Sequence, residues 1–175
     1  TPETGYYVWV RSACSSTENS EWVGPIFAYT GYCPVTSTSQ ATWFSGINSS
    51  GAVTNLNYSS PTATTGTNGY QNLSATQKLA NYAGSTANVT FALGGATAGI
   101  SVWVDWNNDL VFDTTERVHT SSAYVGTTPH TGAVAVPAGT AVGEYRMRMV
   151  VNYNSTAPND ACVNLTRGDY IDMTF

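Results

Sequence analysis

The chain has 175 residues, with 42% hydrophobic side chains and only 10% charged ones, and a net charge of −5. An acidic balance of this kind excludes a basic nucleic-acid-binding surface. The apolar content, with eleven Tyr and five Trp, excludes disorder, and no apolar run reaches the roughly 18 residues of a membrane span.

Taken in chain order, the segments alternate. "YYVWVRS" places Tyr6, Val8 and Val10 on one face, and "SEWVGPIFAYT" follows it as a second strand. "NVTFAL" (88–93) is a shorter candidate. "ISVWVDW" sets Ile100, Val102, Val104 and Trp106 together. "GAVAVPAG" (132–139) is short again. "EYRMRMVVNY" puts Tyr145, Met147, Met149 and Val151 inward, with Arg146 and Arg148 outward. "DYIDMTF" aligns Ile171, Met173 and Phe175. Turn signals such as "SSG", "TNG", "LGG" and "VPAG" separate the segments. No stretch keeps a long helical period, and "SATQKLANYA" (74–83) has room for a short helix at most. The pattern predicts an all-β protein, an antiparallel β-sandwich of jelly-roll-like type.

The first thirty residues stand apart. Their Y-x-V-x-V-R strand (Tyr6, Val8, Val10, Arg11) and S-x-W-x-G-P-x-x-F strand (Ser20, Trp22, Gly24, Pro25, Phe27) resemble the last two strands of a fibronectin type III domain. A lone hairpin is marginal in water. Residues 1–30 therefore read as a domain remnant whose remaining strands lie upstream in the same parent chain. In the other reading the hairpin belongs to the main sandwich.

From residue 31 to 175 the chain resembles the GEVED domain, a β-sandwich module of secreted, multidomain bacterial proteins of the Bacteroidota. Four stretches carry the resemblance: "GYC" (31–33), "VWVDWNNDLVFDTTERV" (102–118), "VPAGTAVGEYRMRMVV" (136–151) and "RGDYIDMTF" (167–175). The motif that names the family is here "GDYID", with Asp169 and Ile171 in place of its two Glu. Leu110 stands where the acidic loop usually has Gly. The resemblance implies a secreted or cell-surface accessory module.

The acidic loop carries the most specific spacing. Counted from Asp105, oxygen-bearing side chains fall at positions one (Asp105), three (Asn107), five (Asp109), nine (Asp113) and twelve (Glu116). Position seven is Val111, where a calcium loop uses a backbone carbonyl. Calcium takes six to eight hard oxygens, so alternate side chains on a tightly wound loop suit it better than magnesium. Position six normally needs Gly, so Leu110 must take up positive φ or the loop must open differently. The bland alternative is a solvated hairpin tip.

The cysteines are Cys14, Cys33 and Cys162. No C-x-x-C spacing exists, so a cysteine zinc site is not expected. In an exported protein a disulfide is expected. Cys33–Cys162 would join the ends of the main domain, while Cys14–Cys33 is the rival pairing.

No nucleophile or metalloprotease motif accompanies His119 or His130. Asp169 and Asp172 are three apart on a strand and face opposite sides, so they do not make a hydrolytic pair. Catalysis is not expected. Binding is the better class: Trp43, Tyr70, Tyr82, Tyr124 and Tyr153 are aromatic candidates for stacking on sugar rings of a polysaccharide. The competing reading is a structural or adhesive stalk or fibre module that engages extracellular protein surfaces.

Overall fold

The computed structural model describes residues 3–63, 69–122 and 124–175. The chain divides into two compact units, residues 1–33 and 34–175.

The first unit is a two-stranded antiparallel sheet of β1 (Gly5–Val10) and β2 (Val23–Tyr29). Its register sets Tyr7 opposite Phe27 and Val8 opposite Ile26. Every residue of both strands is exposed. Tyr7 packs against Trp9 and Phe27, and the Arg11 guanidinium lies over the Trp22 ring at 4.7 Å.

The second unit contains β3 (Thr42–Ser50), β4 (Asn57–Ser59), β5 (Tyr70–Asn72), β6 (Thr86–Gly95), β7 (Ala98–Val104), β8 (Arg117–Thr120), β9 (His130–Ala135), β10 (Arg146–Tyr153) and β11 (Gly168–Thr174). They form a four-stranded sheet, ordered β4-β3-β6-β9, and a five-stranded sheet, ordered β5-β11-β10-β7-β8. All pairings are antiparallel except β5 with β11. This is an all-β sandwich. Residues 74–76 form a turn, so the short helix allowed for 74–83 does not form. The hydroxyl and amide of this stretch are used locally instead: Asn72 Oδ1 accepts from the Ser74 N–H and hydroxyl.

The core lies between the two sheets. Phe44, Ile47, Val89 and Phe91 meet Ile100, Val102, Val104, Met147, Met149, Val151, Ile171 and Met173 there. These are the positions at which the alternating pattern places apolar side chains, because successive residues of a strand face opposite sides.

The pattern gives the facing of Arg148 correctly but not its burial. It points away from the inter-sheet core but is only 1% exposed. Residues 154–167 cross the outer face of the five-stranded sheet and cover it. Ser101 Oγ donates to Pro158 O at 2.6 Å, Arg148 donates to Ala161 O at 3.3 Å, and the Tyr170 hydroxyl donates to Val163 O. Strands β7 and β11 are buried at every position as a result. Gly99 permits the close approach, since a Cβ there would lie 2.2 Å from Ala157 N. Arg148 is held by Asp172, directly opposite on β11, through Nε–Oδ1 (2.7 Å) and a second nitrogen to Oδ2 (2.9 Å). Arg146 (3.2 Å) and the Tyr70 hydroxyl (3.0 Å) also donate to Asp172 Oδ2. Burial works against the Arg148 charge, but the bonds and charge of Asp172 keep its pKa above the usual arginine value.

Cys33 and Cys162 are each disulfide-bonded, whereas Cys14 is an exposed free thiol. No helix among the described residues is long and apolar enough to cross a membrane.

Candidate functional site

The segment 105–116 connects β7 to β8. Its base is made by two buried carboxylates, Asp105 (0% exposed) and Glu116 (6%). Asp105 Oδ2 accepts the Leu110 N–H at 3.0 Å and Oδ1 accepts the Asp109 N–H at 3.3 Å. Leu110 sits at φ 70°, the turn conformation that position six of the spacing calls for. For a non-Gly residue that conformation costs on the order of 1–2 kcal/mol, so the bonds to Asp105 must hold it.

Glu116 closes the loop from the other end, in a single 3-10 turn at Thr114–Glu116. Its Oε1 accepts the Trp106 N–H at 2.9 Å and its Oε2 the Asp113 N–H at 3.1 Å. Burial raises the Glu116 pKa and the Asp105 charge adds to the rise, against the lowering effect of those backbone N–H groups. Between the two ends, Asn107 Oδ1 accepts from Asp109 N–H and Asp109 Oδ1 from Val111 N–H, each at 2.9 Å. Asn107, Asp109, Val111 and Asp113 are exposed. The donors are all oxygens, as a hard cation requires. Among the described residues, however, no three His, Cys, Asp or Glu side chains converge closely enough to hold an ion. The loop brings Asp105 and Glu116 together at its base and leaves Asp109 and Asp113 at its surface.

A cleft of about 310 Å³ lies beside this loop. Val53, Tyr82, Val136, Val142, Tyr145 and Phe175 give it an apolar lining, and Asn81 and Thr140 add neutral polar groups. Among the described residues no charged side chain lines it. Loop and cleft share a wall. Trp106 meets Tyr145 edge-on at 5.5 Å and Phe175 at 4.9 Å, and Asn108 donates to Glu144 O at 3.3 Å.

Residues 99–175 match the family model of the GEVED domain. This part of the chain is a GEVED domain. It contains the acidic loop, β8 to β11, and the Tyr145 and Phe175 wall of the cleft. Comparison with curated proteins and with solved structures gave no match. Within the GEVED domain the naming motif, Gly168–Asp172, lies on β11 and is buried throughout. Asp172 binds Arg148, and Asp169 accepts from Phe44 N–H at 3.3 Å and from Gln40 at 3.2 Å. The motif therefore holds the sheet together and does not line the cleft.

The five aromatic candidates separate. Tyr82 is 72% exposed and lines the cleft. Tyr124, at 53%, is exposed away from those lining residues. Trp43 donates to Ser60 O and lies on Gly94, where a Cβ would meet its ring at 2.2 Å. Tyr70 is bound to Asp172, and the Arg167 guanidinium lies over Tyr153 at 5.1 Å. Val53, Val142 and Phe175 were not candidates from sequence. The available signal was Val142, an apolar residue in the turn "AGTAVGE" that is fully exposed.

Proposed function

We propose that this is a non-catalytic accessory module of a secreted or cell-surface multidomain protein, which binds a neutral polysaccharide at the Tyr82 cleft and calcium in the adjoining loop. The cleft carries the reading. Tyr82 offers an open ring face for the apolar side of a sugar, and Asn81 and Thr140 offer an amide and a hydroxyl for sugar hydroxyls. A lining whose described side chains are all uncharged suits an uncharged polymer. Its volume is at the lower end of the usual range for ligand sites, about 300–1,000 Å³.

Asp105, Asn107, Asp109, the Val111 carbonyl, Asp113 and Glu116 would hold the calcium ion. When bound, it supplies positive charge between Asp105 and Glu116, which otherwise repel each other. The positive φ of Leu110 and its bond to Asp105 support this assignment. Because Trp106 joins the loop to Tyr145 and Phe175, an ordered loop also orders one wall of the cleft. The disulfide and the all-β sandwich support an extracellular setting.

One observation favours the structural reading. The hairpin of residues 5–29 exposes Trp9, Trp22, Ile26 and Phe27, each at 50% or more, a surface suited to protein contact. Affinity electrophoresis through a panel of neutral polysaccharides, with calcium and with EDTA, separates the two. Retention by at least one polysaccharide supports the proposal. Failure on all of them, beside binding to a protein surface or assembly into fibres, transfers the role to adhesion.

A further inference from the structure

The chain has two histidines, and the fold brings them together. His119 is on β8, an edge strand of the five-stranded sheet, and His130 begins β9, an edge strand of the four-stranded sheet. Their Nε2 atoms are 3.2 Å apart. Phe91 stacks on both rings, at 5.5 Å from His119 and 6.4 Å from His130. Gly132 makes room for the arrangement, because a Cβ there would lie 2.7 Å from the His119 ring.

We propose that His119 and His130 form a two-imidazole site for a divalent transition metal, zinc, nickel or copper, that clips the two sheets together at their edge. A tetrahedral ion with Zn–N bonds near 2.0–2.1 Å places two nitrogen ligands roughly 3.3–3.4 Å apart. The pair is already within a small fraction of an ångström of that separation. Imidazole nitrogens select zinc, copper or nickel over calcium, so this site and the oxygen-lined loop take different ions. Both rings are part-buried, which leaves a path for water to fill the remaining coordination positions. Two protein ligands make a weaker site than the four of a closed structural zinc centre.

The protons balance without release. In the metal-free pair one ring donates its Nε2 hydrogen to the other. On binding, that ring carries its hydrogen on Nδ1 instead, and both Nε2 lone pairs face the ion. A ligating imidazole must be neutral. Burial, with the neighbouring His130, pushes the His119 pKa down to about 4, so no proton competes there near neutrality. Phe91 from β6, Gly132 from β9 and Val102 opposite it on β7 also meet His119, and all three are uncharged.

The test is a titration of zinc or nickel at pH 7.5, with calcium in excess to occupy the acidic loop. The melting temperature of the wild-type chain is expected to rise with metal and to fall back on chelation. H119Q and H130Q are expected to lose that rise. Imidazole nitrogen spectra of the wild-type chain, which need no variant, are expected to show both Nε2 resonances moving on metal addition. A rise that survives in both variants, or Nε2 resonances that stay in place, would overturn the proposal.

Discussion

Replacing Asp172 with Ala is expected to be among the most damaging single changes available in this chain. Asp172 is fully buried and accepts four hydrogen bonds, two from Arg148, one from Arg146 and one from the Tyr70 hydroxyl. Removing it leaves the Arg148 guanidinium under the 154–167 connection without its bidentate partner. Breaking a buried pair from one side costs about 3–5 kcal/mol. The Tyr70 hydroxyl loses its acceptor as well, which adds about 1 kcal/mol. Total stabilities run roughly 5–15 kcal/mol, so the variant should be close to unfolding at 37 °C. The pair itself need not be a large net gain, because both charges were desolvated to make it. The double variant Arg148→Met, Asp172→Leu should therefore recover most of the loss and lie within about 2 kcal/mol of wild type. Urea unfolding followed by tryptophan fluorescence measures all three proteins, with unchanged slopes as the control. If Asp172→Ala costs less than about 1 kcal/mol, or the double variant is no more stable than the single, the outer layer does not depend on this pair.

Other outcomes follow from the same structure. Calcium at millimolar excess should stabilise the chain by about 1–3 kcal/mol, given dissociation constants of order 10⁻⁴ to 10⁻³ M for extracellular sites, and Asp105→Asn should remove the effect in a thermal melt with EDTA as reference. Gly99→Ala should cost at least about 2 kcal/mol by urea titration, because the new Cβ meets the Ala157 backbone at 2.2 Å and backbone cannot step aside cheaply. Non-reducing peptide mapping should link Cys33 to Cys162 and find Cys14 alone alkylated; a Cys14–Cys33 peptide would contradict the assignment.

The strands of the sandwich were legible because period-two alternation is a local property, and Met147, Met149, Ile171 and Met173 obey it. Arg148 was not legible. Alternation tells which side of a sheet a residue faces, and it carries no information on whether that side meets water. The cover, residues 154–167, is an irregular segment whose buried members, such as Pro158 and Ala161, follow no period. In the acidic loop the spacing anticipated the positive φ of Leu110, because that demand is local to the turn. The cleft and the histidine pair could not be read from spacing. Tyr82 and Val142 are sixty residues apart, and His119 meets His130 across two different sheets. Only tertiary structure brings them together.

The central claim is that the cleft beside the acidic loop binds a neutral polysaccharide. It is tested most directly by titrating a retained polysaccharide, or an oligosaccharide cut from it, into the wild-type chain and into Tyr82→Ala, with calcium present. Tyr82 is largely exposed, so the substitution should leave the melting temperature within a degree or two while loss of the stacking surface weakens binding about tenfold or more. Unchanged affinity in Tyr82→Ala would contradict the account, because binding would then lie elsewhere on the molecule.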